Sequence, residues 1–509
     1  MKHLSNLRDL LLIFLYNSTL IKIRNNGSNT QQALWVALGS IASFGVTMVT
    51  SMILSRYFDK NDYGTYKQVM YVYHTLLTVF TLGLPQAFGY YLPRVKREQG
   101  RDVVGKITSV FFLLGAAFSG LLYVSASFIS SIMNNDALSD AIRIFSPVPF
   151  LLLPTMGVES IYSTYRKTYI SSIYVVLSRC FVVLCVVLPI VLFGGNYKTA
   201  LAGFVIASLL NFIVALYLKN LPFRRLNHEK SDVSYKTLLK FSLPLMYGGI
   251  WGMVINSADQ FFISRYFGTD VFAEFSNGSM ELPFVGMIVG ACTTVLYPLF
   301  SRMNSENMNP QTSIFPVWKS VFQKTAMVIY PLVVFCWVYA RELMVVLYGA
   351  PYEISAGYFR IKLVANLFTL IAFAPVVLSI GKTKYYANVH MYSAIGVVLL
   401  EWICVNTIPN PYLISIISVV CHIARIFAML FLISSYFSVP LWGLFPKKLM
   451  IKILLPSALM LFVIKLLTVH MSPLLSLVVG LLAYLILYLV YSFFAKLDYI
   501  SLLKPILKK

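Results

Sequence analysis

The sequence predicts an all-α integral membrane protein with about fourteen transmembrane helices, arranged as two pseudo-symmetric six-helix lobes followed by two C-terminal helices. Three observations predict it. Of the 509 residues, 58% are hydrophobic and only 12% are charged, about half the charge that a soluble surface of this size carries. Apolar runs of about twenty residues recur along the whole chain, each long enough to cross a hydrocarbon layer of about 30 Å. A short motif also appears twice, at the end of the first run and again at the end of the seventh.

The first 32 residues precede the spans. Leu10 to Tyr16 is a short apolar run after Arg8, but Lys22, Arg24, Asn25 and Asn26 follow it and no small-residue cleavage site does. Segment 7–23 therefore reads as an interfacial amphipathic helix, and 1–32 as a cytoplasmic or interfacial N-terminal segment. The predicted spans are 33–54, 69–92, 107–133, 141–165, 170–193, 200–218, 241–263, 271–300, 321–347, 358–380, 386–407, 411–434, 449–469 and 473–494. Those near 107–133 and 271–300 are long and read as tilted or partly outside the membrane. The N-lobe covers 33–218, a cytoplasmic linker 219–240, the C-lobe 241–434, the additional spans 449–494, and a basic tail 495–509. The longest polar connections, around 219–240 and 301–320, leave no room for an extramembrane catalytic domain, so the chain reads as a non-enzyme.

Basic residues set the orientation. Most of the 41 lysines and arginines fall in alternate connections, on the side that carries the N-terminus. Arg94, Lys96, Arg97 and Arg101 lie there, as do Arg224, Arg225 and Lys230, and Lys447 and Lys448. Arg56, Lys60, Arg341, Arg360 and Lys362 fall on the other side. Both termini are therefore expected in the cytoplasm. The net charge of +22 follows from topogenic loops facing anionic lipid, and no nucleic-acid partner is needed to explain it. The six cysteines lie inside spans without CxxC spacing and without neighbouring His or Asp clusters. They read as free thiols, with no disulfide framework, no metal site and no cofactor.

The duplication is Ser55-Arg56-Tyr57-Phe58, which recurs as Ser264-Arg265-Tyr266-Phe267. At the same spacing Tyr63, Gly64 and Tyr66 fall on Phe272, Ala273 and Phe275, and Gln68 falls on Asn277. Upstream, Ser40, Ser43, Thr47 and Thr50 form one helical stripe whose equivalents are Gly249, Gly252, Asn256 and Asp259. Two lobes that both start in the cytoplasm would be parallel repeats. The plainer reading of Ser40, Ser43, Gly249 and Gly252 is close helix packing.

An ionisable side chain near mid-bilayer costs about 2.5–3.5 kcal/mol on insertion scales, so it needs a partner or a hydrated cavity. Glu159, Arg179, Asp259, Glu281, Glu401, Arg425 and Lys465 lie in spans, with Glu274 near an interface. Ser415, Ser418, His422 and Arg425 share one face of their span. So do Thr155, Glu159, Tyr162 and Arg166, and so do Glu274, Asn277 and Glu281. Plainer roles compete with functional ones. Glu159 can pair with Arg179, Lys465 can snorkel to the outer surface, Glu401 can sit at a rim, and His422 can be a packing histidine. Pairing of Arg425 with Glu401 would have to bridge about 10 Å of depth at 1.5 Å per residue.

The local text around these positions resembles a known family. Ile53-Leu54-Ser55-Arg56-Tyr57-Phe58 with Asp62-Tyr63-Gly64-Thr65-Tyr66, then Leu82-Gly83-Leu84-Pro85 and Tyr91-Leu92-Pro93-Arg94, resemble the first two spans of one group of membrane proteins. Phe241-Ser242-Leu243-Pro244, Asp259-Gln260-Phe261-Phe262 and Leu347-Tyr348-Gly349 resemble its second lobe. That group is the oligosaccharide-lipid flippase branch of the multidrug/oligosaccharidyl-lipid/polysaccharide exporter superfamily, which includes O-antigen flippases of lipopolysaccharide assembly. The resemblance covers roughly 30–440. It implies a cationic cavity between two lobes, opening alternately to each side, and supplies no motif to transfer residue by residue.

What it implies is translocation of a polyprenyl-pyrophosphate oligosaccharide across a bacterial inner membrane. Arg179, Arg425, His422 and Asn256 are the expected substrate-binding residues. Asp259, Glu281, Glu274 and Glu159 are the expected cavity or ion-coupling groups. Arginine suits phosphate because its planar fork binds two oxygens, and no Walker A motif is present to supply ATP hydrolysis. The expected partners are the lipid-linked substrate, membrane lipids and other polysaccharide-assembly proteins, with the chain acting as a monomer. The competing readings are a multidrug exporter of the same superfamily and a membrane-embedded polymerase or glycosyltransferase, which the short outer connections argue against.

Overall fold

The computed structural model describes residues 29–224, 226–497 and 499, and every regular element within them is helical. The helix expected over 7–23, and 500–509 of the basic tail, lie outside the described residues. Among the described residues, twelve helical segments are long and apolar enough to cross a membrane. The protein is an all-α, multi-pass membrane protein.

The principal helices are α1 (Asn29–Tyr57), α2 (Lys60–Phe80), α3 (Pro85–Tyr91), α4 (Gly100–Met133), α5 (Thr168–Val182), α6 (Tyr197–Asn220), α7 (Tyr235–Gly278), α8 (Pro283–Ser305), α9 (Phe315–Val338), α10 (Ala340–Tyr348), α11 (Ser355–Thr369), α12 (Thr383–Thr407), α13 (Pro411–Phe437), α14 (Lys447–Thr468) and α15 (Pro473–Phe494). Local chemistry sets several of their starts. Asp59 in extended conformation accepts the Asp62 N–H at 2.7 Å, and Asn410 accepts from Tyr412 and Leu413 ahead of a helix that opens on Pro411.

The structure breaks five crossings that the sequence reads as continuous: 321–347 is interrupted at Tyr339, between α9 and α10, and the other four are broken beside prolines. Segment 69–92 is cut between α2 and α3, where Leu82 and Gly83 take positive φ and Pro85 restarts the helix. Segment 271–300 is cut at 279–282, so its excess length is a break and not a tilt. Segment 358–380 is cut after Thr369. Segment 141–165 falls into four short pieces around Pro147, Pro149, Pro154 and Gly157. In each of these four a proline withholds an N–H and its ring obstructs the preceding turn. The carbonyl freed at Pro154 accepts the buried Lys219 Nζ at 2.6 Å, and that ammonium also reaches Thr108 at 3.2 Å. The proposed stripe Thr155, Glu159, Tyr162 and Arg166 is therefore not one helical face, since Arg166 lies past the helix end with positive φ.

The two halves of the chain meet along α2 and α7. Among the described residues, the hydrogen bonds and ion pairs joining 33–218 to 241–434 gather toward one end of the bundle. Lys60 Nζ meets Glu274 at 2.6 Å, Tyr63 donates to Asn277 at 2.8 Å, Gln68 donates to Ser264 at 2.8 Å, and Tyr71 donates to the Ser257 carbonyl at 3.1 Å. Gly64 sits so close to the Thr269 carbonyl that a methyl group in its place would overlap it. We refer to this as the sealed end.

The last two helices pack on α9 and α10. Tyr484 donates to Ser457 at 2.9 Å, and Tyr339 shares a hydrogen bond with Thr468 at 3.2 Å. Lys465 does not snorkel: it pairs with Glu342 at 2.5 Å and lies 4.8 Å from the centre of the Tyr339 ring. All six cysteines are free, Cys404 fully buried and the others partly.

Candidate functional site: a charged cavity in the C-terminal half

A cavity of about 210 Å³ opens among α7, the break at 279–282, α11 and α13. Three features of the sequence build it. The stripe on α7 presents Asn256 and Asp259 to it. The Pro283 break unwinds the backbone at Glu281 so that its carboxylate lies on the wall. Lys362, Asn366 and Thr369 recur along one face of α11, opposite Ser418 and His422 on α13.

Its polar groups form a connected set. The Lys362 ammonium is paired with the Asp259 carboxylate and donates to Ser418 Oγ at 3.0 Å. The side chain of Asp259 is only 3% exposed, that of Lys362 22%. His422 Nε2 contacts Thr369 Oγ1 at 3.2 Å, and its Nδ1 faces the Arg425 guanidinium at 3.1 Å. Asn256 and Glu281 are exposed, and Glu281 makes no ion pair among the described residues. Two carboxylates, one ammonium, three amides and hydroxyls suit a small cation or the hydroxyls of a sugar; by itself this wall does not suit a phosphate.

The expected residues are thus partly assembled. Asn256, Asp259, Glu281 and His422 share the cavity, while Arg425 lies one turn beyond His422, outside the lining, with its buried Nε unpartnered. Glu274 is not in the cavity: it is the partner of Lys60 in the seam. Asn277 likewise serves the seam, so Glu274, Asn277 and Glu281 do not act as one stripe.

In the N-terminal half Arg179 is exposed and donates its Nε to Ser43 at 3.0 Å. Arg179 and Glu159 do not approach within ion-pair distance, nor do Arg425 and Glu401. Glu401 is no rim residue: it is 0% exposed, and neither carboxylate oxygen has a hydrogen-bond partner. Gly252 has nothing within 4 Å of where its side chain would begin, so close packing does not account for it.

Sequence reasoning missed Lys362, which it assigned to an outer connection. The signal was present: Lys362, Asn366 and Thr369 fall at helical spacing inside an otherwise apolar run.

The profile of a polysaccharide biosynthesis protein family matches residues 30–304. A search of curated protein sequences finds no significant match. Among solved structures, the chain is similar to the lipid II flippase MurJ in an inward closed conformation, with TM-score 0.67, 17% identity, and coverage of 91% of this chain and 98% of that one. It is also similar to an inward-facing multidrug resistance MATE family transporter, with TM-score 0.60, 15% identity, and coverage of 78% and 98%. A third similar structure is a transporter from Pyrococcus furiosus described as having reverse polarity of its binding pocket, with TM-score 0.54, 16% identity, and coverage of 81% and 97%. With more than half its length matched by the family profile, the chain belongs to the polysaccharide biosynthesis protein family, and it shares its fold with these transporters.

Proposed function

We propose that this transporter is a flippase that moves a polyprenyl-pyrophosphate oligosaccharide across the bacterial inner membrane, by alternating access between two lobes. The observation that carries the reading is the pair Arg179 and Arg425. One lies in each half, within the membrane-crossing helices, and neither has a carboxylate within ion-pair distance among the described residues. A cation held in a membrane without a counter-ion is costly, and a pyrophosphate would supply that counter-ion. The sugar hydroxyls would meet Asn256, His422 and the rest of the polar wall. Each head-group atom dragged unpaired through hydrocarbon would cost several kcal/mol, while the lipid tail needs no shelter and stays in the bilayer. Asp259 and Glu281 are the groups through which a coupling cation would act.

The distribution of basic residues supports cytoplasmic termini, and with them a periplasmic sealed end. One observation favours a second reading. The carboxylates of the cavity would also suit an organic cation, as in a multidrug exporter. Deletion of the gene separates the two. The flippase reading expects loss of mature surface glycan and accumulation of lipid-linked repeat units facing the cytoplasm. Normal glycan with drug sensitivity as the defect overturns it.

A further inference from the structure

The duplicated tetrapeptide does one job twice, and the contacts are reciprocal. Ser55 Oγ donates to the Tyr348 carbonyl at 3.2 Å, and Arg56 Nη2 donates to the Val346 carbonyl at 2.6 Å. In the other copy, Arg265 Nη1 donates to the Ser131 carbonyl at 2.8 Å, and Ser264 Oγ lies 3.4 Å from Met133 Sδ. One copy ends α1 and the other stands just before Gly268, whose φ of 84° interrupts α7, and each reaches the last turn of a helix in the opposite half. Ser131 and Met133 end α4, and Val346 and Tyr348 end α10.

The receiving carbonyls lie in the last turns of their helices; those of Val346 and Tyr348 are ones a helix end leaves over, while the Ser131 carbonyl also accepts the Asn134 N–H at 3.3 Å. The chain departs from helix at Asn134, with φ 52°, and at Gly349, with φ 97°. Among the described residues, no backbone N–H donates to the Val346 or Tyr348 carbonyl. A guanidinium is well suited to such an end, because it supplies donors and complements the negative pole of the helix. The remaining side chains also match between copies. The serines are 4% and 0% exposed, and the tyrosines 53% and 47%. A contact in which i meets j and the second i meets the second j is the signature of a two-fold interface.

We infer that Ser55-Arg56 and Ser264-Arg265 form a reciprocal latch across the sealed end, whose two halves contribute equally to the balance between closure at this end and closure at the opposite end. The inference rests on the alternating-access part of the proposed function and not on the identity of the cargo. Any state open at this end must release four contacts, and the helix-end carbonyls then pass to water. The latch also accounts for the duplication. Each copy is constrained by the helix end it caps in the other half.

The test uses the full chain in lipid nanodiscs, with native cysteines replaced and spin labels at Asn196→Cys and Ile354→Cys near the sealed end. A second pair, at Lys167→Cys and Ser305→Cys, reports the opposite end. One hydrogen bond to a charged donor corresponds to about a tenfold change in the ratio of open to closed sealed ends. Arg56→Ala and Arg265→Ala should each lengthen the sealed-end distance in a similar fraction of molecules. The double variant should shift it further, with the opposite-end distance shortening in step. Arg→Lys at either site, which keeps a charged donor, should recover part of the effect. If the double variant does not fold, the two single variants decide the matter. A shift for one arginine only, or none, overturns the reciprocal latch. Lengthening at the sealed end without shortening at the other indicates mere loosening and overturns the proposed balance. Cargo assays do not enter the result, so failure of the latch and failure of the flippase reading remain distinguishable.

Discussion

The Asp259–Lys362 pair predicts an asymmetry between two substitutions that remove the same contact. In Lys362→Met, the Asp259 carboxylate, 3% exposed, loses the only cation it pairs with among the described residues and faces the orphaned Glu401 region inside the membrane. Removing one partner of a buried pair costs about 3–5 kcal/mol, because the other charge is stranded. In Asp259→Asn, Lys362 keeps Ser418 and is 22% exposed on a cavity wall. What is lost is closer to one charged hydrogen bond, about 1.5–3 kcal/mol. Detergent-solubilised protein heated in steps, with the folded fraction read by gel filtration, should therefore give the order wild type, Asp259→Asn, Lys362→Met. The double variant should lie above Lys362→Met, since it removes the stranded charge together with its partner. Lys362→Met as stable as Asp259→Asn, or a double variant worse than either single, would refute the reasoning.

Three further outcomes follow from other parts of the molecule. Gly64→Ala should lower the apparent melting temperature, because the added methyl overlaps the Thr269 carbonyl, whereas Gly45→Ala meets nothing within 4 Å and should be neutral or slightly stabilising. Fusions of a periplasm-active reporter after residue 509 should be inactive and those near Asn196 or Pro409 active; the reverse at either outer site contradicts the topology. Arg425→Ala and Arg179→Ala should abolish transport at near-normal membrane levels, with Lys restoring part of it because it keeps the charge and loses the fork; normal transport by either variant removes that residue from the cargo path.

How far the fold could be read in advance depended on what kind of physics encoded it. Length and apolarity make a crossing visible, so the all-helical architecture follows directly from hydropathy. Breaks within crossings are encoded by one proline and its neighbours, and a hydropathy window averages over them; segments 69–92 and 271–300 were legible as apolar but not as interrupted. Side-chain partners depend on distant segments. Asn256, Asp259, Glu281 and His422 were legible because a polar group in an apolar run needs a reason. That Glu274 serves Lys60 and Lys465 serves Glu342 was not, because those contacts bridge elements whose packing no local pattern specifies. Lys362 was missed for a related reason: it sits near a helix start, where a lysine is unremarkable unless Asn366 and Thr369 are read with it. The tetrapeptide repeat was plain in the sequence, but its meaning lies in carbonyls of the opposite half.

Transport of a glycan-bearing pyrophosphate lipid can be followed in a reconstituted system. Purified protein in liposomes should be given a polyprenyl-pyrophosphate oligosaccharide with a fluorescent sugar, and inward and outward leaflet pools measured with an impermeant quencher. Wild-type protein should equilibrate the two pools much faster than protein-free liposomes, and Arg425→Ala liposomes should match the protein-free rate. No acceleration by wild-type protein, together with uptake of a free organic cation by the same liposomes, would contradict the flippase reading.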